Sequence, residues 1–472
     1  MPARRPPEPD RRETLSSSLG EFHGWSSRVS AKDGADDPPP LSRLRGERRT
    51  VRRTASNQDV QGFVAAREQH WHKLLQELIR IPSTFKCEQA MVARVAAHLE
   101  SLGVGIRRLP HYSHQLKDQP AAQPPFSAAP GRYSLSARIP GSGGGRSLIL
   151  STHMDVVPEG NEAEWTHPPF SGHIDEPAGV IYGRGATDDK AGVVAALALL
   201  EIICHLPLRL RGDVICQFVL EDEITGNGTL LCLKDGPRAD AAFIIDGTRL
   251  NRAINQHAGN VEFGIVLKGK PASVGVSHVG VNAAEMLARL VLHIRDAVFA
   301  LNAERSELWK QFPSPFQISL QEIESVGRQL TVPDLARARF YMTFPPPFAL
   351  ASMRELVTES AAKFCAAYGL EGLVRFDWDG FAVEPIMAEC PSLEAVLQEC
   401  ATGAGLGSIN IGPSTGTSDM RHFVAAGIPC LLYGPGDGGN PHRMDEFYKL
   451  ADLSKVILLY TAVIQRWCGT AV

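Results

Sequence analysis

Three apolar runs in this chain end in the same way. Arg146-Ser147-Leu148-Ile149-Leu150 leads into "STHMDVVPEG", with His153 and Asp155; "DVICQFVLEDE" closes on Glu221, Asp222 and Glu223; "DAAFIIDGT" closes on Asp246. Each run is short and bounded by turn residues, which reads as a buried strand. Between the first two stands "TDDKAGVVAALALLEII", a long apolar helix. Strands alternating with helices predict an α/β domain, a mostly parallel sheet covered by helices. In such sheets ligands bind beyond the carboxyl ends of the strands, where these acids stand. His153 and Asp155 lie two apart, so in extended chain they share a face. On its own such a pair is more often solvated than functional; what matters is whether other segments supply partners.

The flanking segments organise around this pattern. "FVAAREQHWHKLLQELIRIPS" has helical apolar spacing and stops at Pro82, and "CEQAMVARVAAHLESLG" is a second helix ended by Gly103. The middle of the chain reads differently. "NVEFGIVLKGKPA", "FQISLQEIES", "ARARFYMTFPPP" and "LVRFDWDGF" are strand-like, with helices in "GVNAAEMLARLVLHIRDAVFAL" and "ASMRELVTESAAKFCAAYG". These predict a smaller α+β domain inserted at residues 253–383, between catalytic segments 59–252 and 384–472. Residues 1–58, rich in Pro, Arg and acids and poor in aliphatics, read as a disordered tail.

Composition excludes several classes. The formal net charge of -4 gives no reason to expect nucleic acid or a membrane surface as partner. No apolar run reaches the ~20 residues of a membrane helix. The nine cysteines are scattered without a C-x-x-C pair, as in a reduced, cytoplasmic protein.

Five segments align as one constellation: His153/Asp155; "GRGATDDKAG" with Asp188, Asp189 and Lys190; "LEDEITGNGT" with Glu221, Asp222 and Glu223; "IIDGT" with Asp246; and "GPGDGGNPHRMDEF" with His442 and Glu446. Mixed imidazole and carboxylate donors suit zinc. Two histidines and several carboxylates exceed one tetrahedral ion and suit two ions bridged by a carboxylate.

In order and spacing these segments resemble the zinc aminoacylase family that includes acetylornithine deacetylase, succinyl-diaminopimelate desuccinylase and carboxypeptidase G2, over residues 60–472. "GTSDMRHF", Gly416 to Phe423, is similar to the family's G-T-S-D-x-R-F segment. The resemblance implies a ferredoxin-like lid and dimerisation domain for the insert and a homodimer. It implies His153 and Asp246 on one metal, Glu223 and His442 on the other, and Asp188 between them. It makes Asp155 the partner that holds the His153 tautomer and places Thr417, Ser418 and Arg421 near the substrate. The ions are expected to be Zn2+, with Co2+ or Mn2+ as alternatives. For Asp189 the plainer reading, a helix N-terminal turn, is preferred; Lys190 is either a solvated charge or part of the site.

The chain departs from the family at several positions. The family's base is the first glutamate of an E-E pair; here that position is Asp222, one methylene shorter. A displacement of ~1 Å can cost about a hundredfold in rate. Glu221 is the alternative base, but it is adjacent in the chain and should face away. Ser273 stands where the family often has a histidine that reaches across the dimer to the oxyanion. His278 or His257 could substitute, or His278 is only a turn residue. Thr343 falls near a missing arginine, which leaves Arg421 as the guanidinium for a substrate carboxylate.

The expected function is a di-metal amidohydrolase that removes an acyl group from an N-acyl amino acid or related amide. A dipeptidase or carboxypeptidase is the near alternative. The changes at Asp222 and Ser273 motivate another, a relative that condenses or binds without hydrolysing. A structural protein built on the N-terminal arm would need no metal.

Overall fold

A computed structural model describes residues 54–111, 116, 119, 121–125, 130–435 and 441–471; the rest of the tail expected at residues 1–58 lies outside them. Along the chain the helices are α1 Asn57–Ile79, α2 Gln89–Ser101, α3 Lys190–His205, α4 Asn227–Asp235, α5 Ala283–Ala300, α6 Leu350–Tyr368, α7 Pro391–Gly403, α8 Met420–Ala425 and α9 Leu450–Cys468. The strands are β1 Ile106–Pro110, β2 Tyr133–Ile139, β3 Leu148–His153, β4 His173–Asp175, β5 Val180–Tyr182, β6 Val214–Val219, β7 Ala241–Ile244, β8 Arg252–His257 and β9 Gly259–Lys268. They continue with β10 Gln317–Ser325, β11 Leu335–Phe344, β12 Val374–Asp377, β13 Ala382–Val383, β14 Ile386–Met387, β15 Asn410–Ser414, β16 Cys430–Leu432 and β17 Phe447–Lys449.

The first helix starts two residues inside the expected tail. Ser56 caps it: its hydroxyl accepts from Asp59 N at 3.3 Å, and the Asp59 carboxylate accepts from Ser56 N at 2.7 Å. This reciprocal box satisfies two N-terminal donors and draws the fold boundary back before Asn57.

The large sheet has the order β1-β2-β6-β3-β7-β16-β8-β14, with β15 also on β8. Its centre is parallel: β3 pairs β6 and β7, and β16 pairs β7. The outer pairs β1–β2, β2–β6, β16–β8 and β14–β8 are antiparallel, so the sheet is mixed with a parallel core. Register aligns the functional ends. His153 lies opposite Val219, and Ser151 opposite Ile244, so the segments carrying Asp222, Glu223 and Asp246 leave the sheet at the rim where β3 ends. Helix α3 is buried from Lys190 to Ile202 and shares one apolar core with α1 and α9 through Trp71, Leu75, Val194, Leu197, Tyr460 and Ile464.

A second, antiparallel sheet has the order β10-β11-β9-β12, with β13 on β9. Helices α5 and α6 cover one face with Leu287, Leu290, Ile294, Val357 and Phe364. On β11, Ala336, Ala338, Phe340 and Met342 face that core, while Arg337, Arg339, Tyr341 and Thr343 alternate to the other side, the period of two expected of a strand with one covered face. Strand β8 belongs to the large sheet, so this second sheet begins at Gly259, later than the expected boundary at residue 253. At the junction a Cβ on Gly259 would stand 2.6 Å from Pro385 Cδ; only glycine lets the outgoing and returning chains pass there.

Candidate metal centre

His153 is the last residue of β3, and its Nε2 lies 2.9 Å from Asp188 Oδ1 and 3.9 Å from Asp246 Oδ1. His442 Nε2 lies 3.2 Å from Asp188 Oδ2 and 3.0 Å from Glu223 Oε2. Asp188 therefore offers one oxygen to each imidazole. Two overlapping sets of donor atoms converge within 4.8 Å, His153/Asp188/Glu223 and His153/Asp222/Asp246. Burial disfavours protonated His153, but Asp188, Asp222 and Asp246 outweigh it and push its pKa well above the histidine range. Hydrogen bonds to Asp188 and Glu223 raise that of His442 to about 10. Four carboxylates thus face two imidazoles, and Glu223 Oε1 is buried with no hydrogen-bond partner among the described residues. This donor set, rich in anionic oxygen with one nitrogen on each side, fits a pair of divalent cations.

Asp155 holds His153 differently from the sequence expectation. Its backbone carbonyl, 2.9 Å from His153 Nδ1, is the nearer partner, while the carboxylate oxygen lies at 3.8 Å. A carbonyl there requires Nδ1–H and leaves Nε2 as the donor to a metal. The Asp155 carboxylate instead accepts from Glu223 N at 3.3 Å.

The backbone turns sharply at Glu221, whose φ is +70°. Its carbonyl accepts from Ile224, Thr225 and Gly226 N, at 3.2, 2.8 and 2.6 Å. Its carboxylate faces away from the cluster, 3.0 Å from Arg132 Nη2, 3.3 Å from His111 Nδ1 and 2.7 Å from Thr225 Oγ1. Asp222 and Glu223 are the residues that turn toward the histidines. Burial, then the neighbouring Asp419 carboxylate, pushes the Asp222 pKa well above the carboxylate range.

The Gly416–Phe423 segment packs against this turn. Asp419 accepts from Thr229 Oγ1 at 2.5 Å and lies 3.5 Å from Arg421 Nη2. Arg421 donates to the carbonyls of Thr225, at 2.8 Å, and Ser418, at 3.2 Å. The guanidinium expected to hold a substrate carboxylate is thus engaged by backbone oxygen. Gly226, with φ +67°, packs against this segment; a Cβ there would overlap Arg421 Nη2 and Asp419 Oδ1. Thr417 Oγ1 accepts from Asn260 Nδ2 at 3.2 Å, and Ser418 Oγ accepts from Met420 N at 3.3 Å.

The other expected residues are engaged in different ways. Ser273 and His278 are exposed around the 3-10 segment Val274–Val279 of the insert, and no side-chain hydrogen bond joins either to the cluster among the described residues. His257 is buried, with Nδ1 2.8 Å from Ala258 O, and burial pushes its pKa down to about 4. Asp189 caps α3, accepting from Gly192 N at 3.1 Å. Lys190 is wholly buried, its Nζ donating to Ile81 O at 2.8 Å. Sequence reasoning also missed the buried Glu88–Arg132–Glu221 chain, in which Arg132 Nη2 lies 2.7 Å from Glu88; these residues are too far apart in the chain to signal one another.

The model of peptidase family M20/M25/M40 matches residues 149–466. The chain belongs to that family. One relative is the N-formyl-4-amino-5-aminomethyl-2-methylpyrimidine deformylase of Bacillus subtilis strain 168, 26% identical over 353 residues, covering 68% of this chain and 80% of the relative. Another is the succinyl-diaminopimelate desuccinylase of Paracoccus denitrificans, 28% identical over 337 residues, covering 69% and 85%. In fold the chain is similar to the dipeptidase Dug1p of Saccharomyces cerevisiae, with a TM-score of 0.68 at 15% identity, covering 88% of this chain and 99% of that one. This M20 chain is a metal-dependent amidohydrolase, and none of its described helices is long and apolar enough to cross a membrane.

Proposed function

We propose that this enzyme hydrolyses the amide of an N-acyl amino acid or closely related N-acyl amine, using two divalent ions, zinc in the first instance. The observation that carries the reading is the Asp188 carboxylate, one oxygen toward each histidine. His153 and Asp246 would hold one ion, His442 and Glu223 the other, and Asp188 would span both. Such a pair, when bound, supplies a water acidic enough to ionise near neutral pH and polarises the scissile carbonyl.

The chain's own groups do the rest. Asp222, beside the His153–Asp246 half, takes the proton of the attacking water and returns it to the leaving amine nitrogen. Its burial next to Asp419 suits a carboxyl that must bind a proton and then give it up. The Glu221 turn keeps Asp222 and Glu223 on the same side, and Arg421 and Asp419 brace that turn from behind. The names of the deformylase and desuccinylase relatives support acyl removal. The exposed edge of β10, with Leu320 and Ile323, and the hairpin residues Val326 and Leu330 beside it, support a homodimer through the insert. The nine cysteines, scattered without a C-x-x-C pair, support a reducing, cytoplasmic location.

The test is metal analysis coupled to amine release over N-formyl, N-acetyl, N-succinyl and N-carbamoyl substrates and dipeptides. Two ions per chain with turnover of the acyl amides is expected. Two ions without amine release from any substrate would overturn hydrolysis, and turnover of dipeptides alone would reassign the substrate.

A further inference from the structure

Glu446 lies between the last expected ligand, His442, and β17, and its carboxylate is wholly buried. Oε2 accepts from Arg184 Nη1 at 2.7 Å and from Gly185 N at 3.0 Å. Oε1 accepts from Thr187 N at 3.0 Å and from Asp188 N at 3.2 Å. The Glu446 carbonyl accepts from Gly183 N at 2.9 Å. One residue therefore gathers the backbone of the whole Gly183–Asp188 turn. The small sheet β17-β5-β4 brings this about: Phe447 lies opposite Tyr182, so the residue before β17 meets the turn after β5. Arg184 Nη1 also donates to Arg443 O at 3.2 Å, beside His442.

We infer that Glu446 is a positioning residue that makes the bridging carboxylate and the last histidine one mechanical unit. The inference rests on the ligand reading proposed above. Asp188 and His442 come from distant parts of the chain, and the contact between them is only as accurate as the two backbones that carry them. Glu446 fixes one backbone to the other with a charged acceptor, and hydrogen bonds to a carboxylate are about twice as strong as neutral ones. Its four donors use both oxygens in opposite directions, so an amide cannot replace it: one end of glutamine would turn an N–H against backbone N–H groups. Loss of the clamp loosens Asp188, and because Asp188 is the shared ligand, both ions weaken together.

The experiment is competitive chelator titration of zinc on the full chain, wild type against Glu446→Gln. A drop in affinity for both ions of about ten- to a hundredfold, the usual effect of losing a residue that orients ligands, is expected, with faster hydrogen exchange at the Thr187 and Asp188 amides. Tyr460→Phe removes a buried hydroxyl bond to the Tyr433 carbonyl, far in sequence from the turn; it should lower the melting temperature and leave both affinities unchanged. If Glu446→Gln does not fold, Arg184→Met, which removes one of the four donors, should show the same joint loss to a smaller extent. Wild-type affinity for either ion in Glu446→Gln, or in Arg184→Met where that is the variant read, overturns the inference while leaving the ligand reading intact. A wild-type chain that binds fewer than two ions overturns both.

Discussion

Arg421 donates from Nη2 to the carbonyl oxygen of Thr225 over 2.8 Å. That bond ties the Gly416–Phe423 segment to the turn that presents Asp222 and Glu223. A guanidinium occupied in this way braces the site, and its removal should be felt in the chemical step. Arg421→Met is expected to lower kcat by at least about tenfold, since a displacement of ~1 Å can cost a hundredfold. Paired substrates with and without a carboxylate on the amine side should lose equally. A rise in KM confined to the carboxylate-bearing partner would instead give Arg421 a direct hold on substrate.

Asp222→Ala should leave the metal content unchanged and slow turnover by about a hundredfold to ten-thousandfold, the worth of a positioned acid/base. Metal analysis beside single-turnover kinetics checks this. Loss of an ion in the variant would make Asp222 a ligand in the His153/Asp246 set.

Glu221→Ala is expected to act on stability. It would take one of two carboxylates from the buried Arg132, which keeps Glu88, and losing a hydrogen bond to a charged group costs roughly 1.5–3 kcal/mol. Urea unfolding of the variant should show a loss of that order. An unchanged midpoint with abolished turnover would make Glu221 the base.

Two buried histidines contribute to the acid limb of stability. Burial lowers the pKa of His257 to about 4 and of His422 to about 3, whereas in the unfolded chain both titrate near 6.5. Above pH 6.5 both are neutral in both states and their contribution is fully present. As pH falls from about 6.5 toward 4, the unfolded chain takes up protons that the folded one refuses, and stability drops. His257→Gln should flatten this limb when urea midpoints are compared at pH 7.5, 6 and 5; an unaltered slope would show that His257 charges freely in the fold.

If two chains pair through the insert as proposed, Ile323→Glu on the exposed β10 edge should turn a dimer into a monomer in sedimentation at micromolar concentration, because a charge on an edge strand opposes pairing. A dimer that persists would put the interface elsewhere.

Much of the donor cluster was legible because each of its residues follows an apolar strand or a glycine-rich stretch of sequence. His153, Asp246 and the Asp222–Glu223 pair follow strands whose composition alone predicts burial, and parallel pairing brings their ends to one rim. What was not legible depends on where side chains turn. Lys190 reads as a charge at a helix start, yet it is buried where the chain leaving α1 offers the Ile81 carbonyl. Arg421 reads as a free guanidinium, and only the fold shows Thr225 and Ser418 within its reach. Strand β8 reads as the start of the insert because the sequence there carries no break; its pairing with β15 and β16 assigns it to the large sheet.

The proposed ligand set opens at His153 and closes at His442, with the whole insert translated in between. During synthesis the parallel core of the large sheet can begin to form with Asp188, Glu223 and Asp246 already in place, while the second histidine is still to be made. The clamp that steadies Asp188 arrives later still, at Glu446. A chain still growing through the insert therefore offers a half-built, acidic mouth, and the proposed pair of ions waits on the segment that carries His442 and Glu446. Loss of the chain after Leu432, by a nonsense codon or a protease, would spare every described strand of the large sheet and take away both His442 and Glu446.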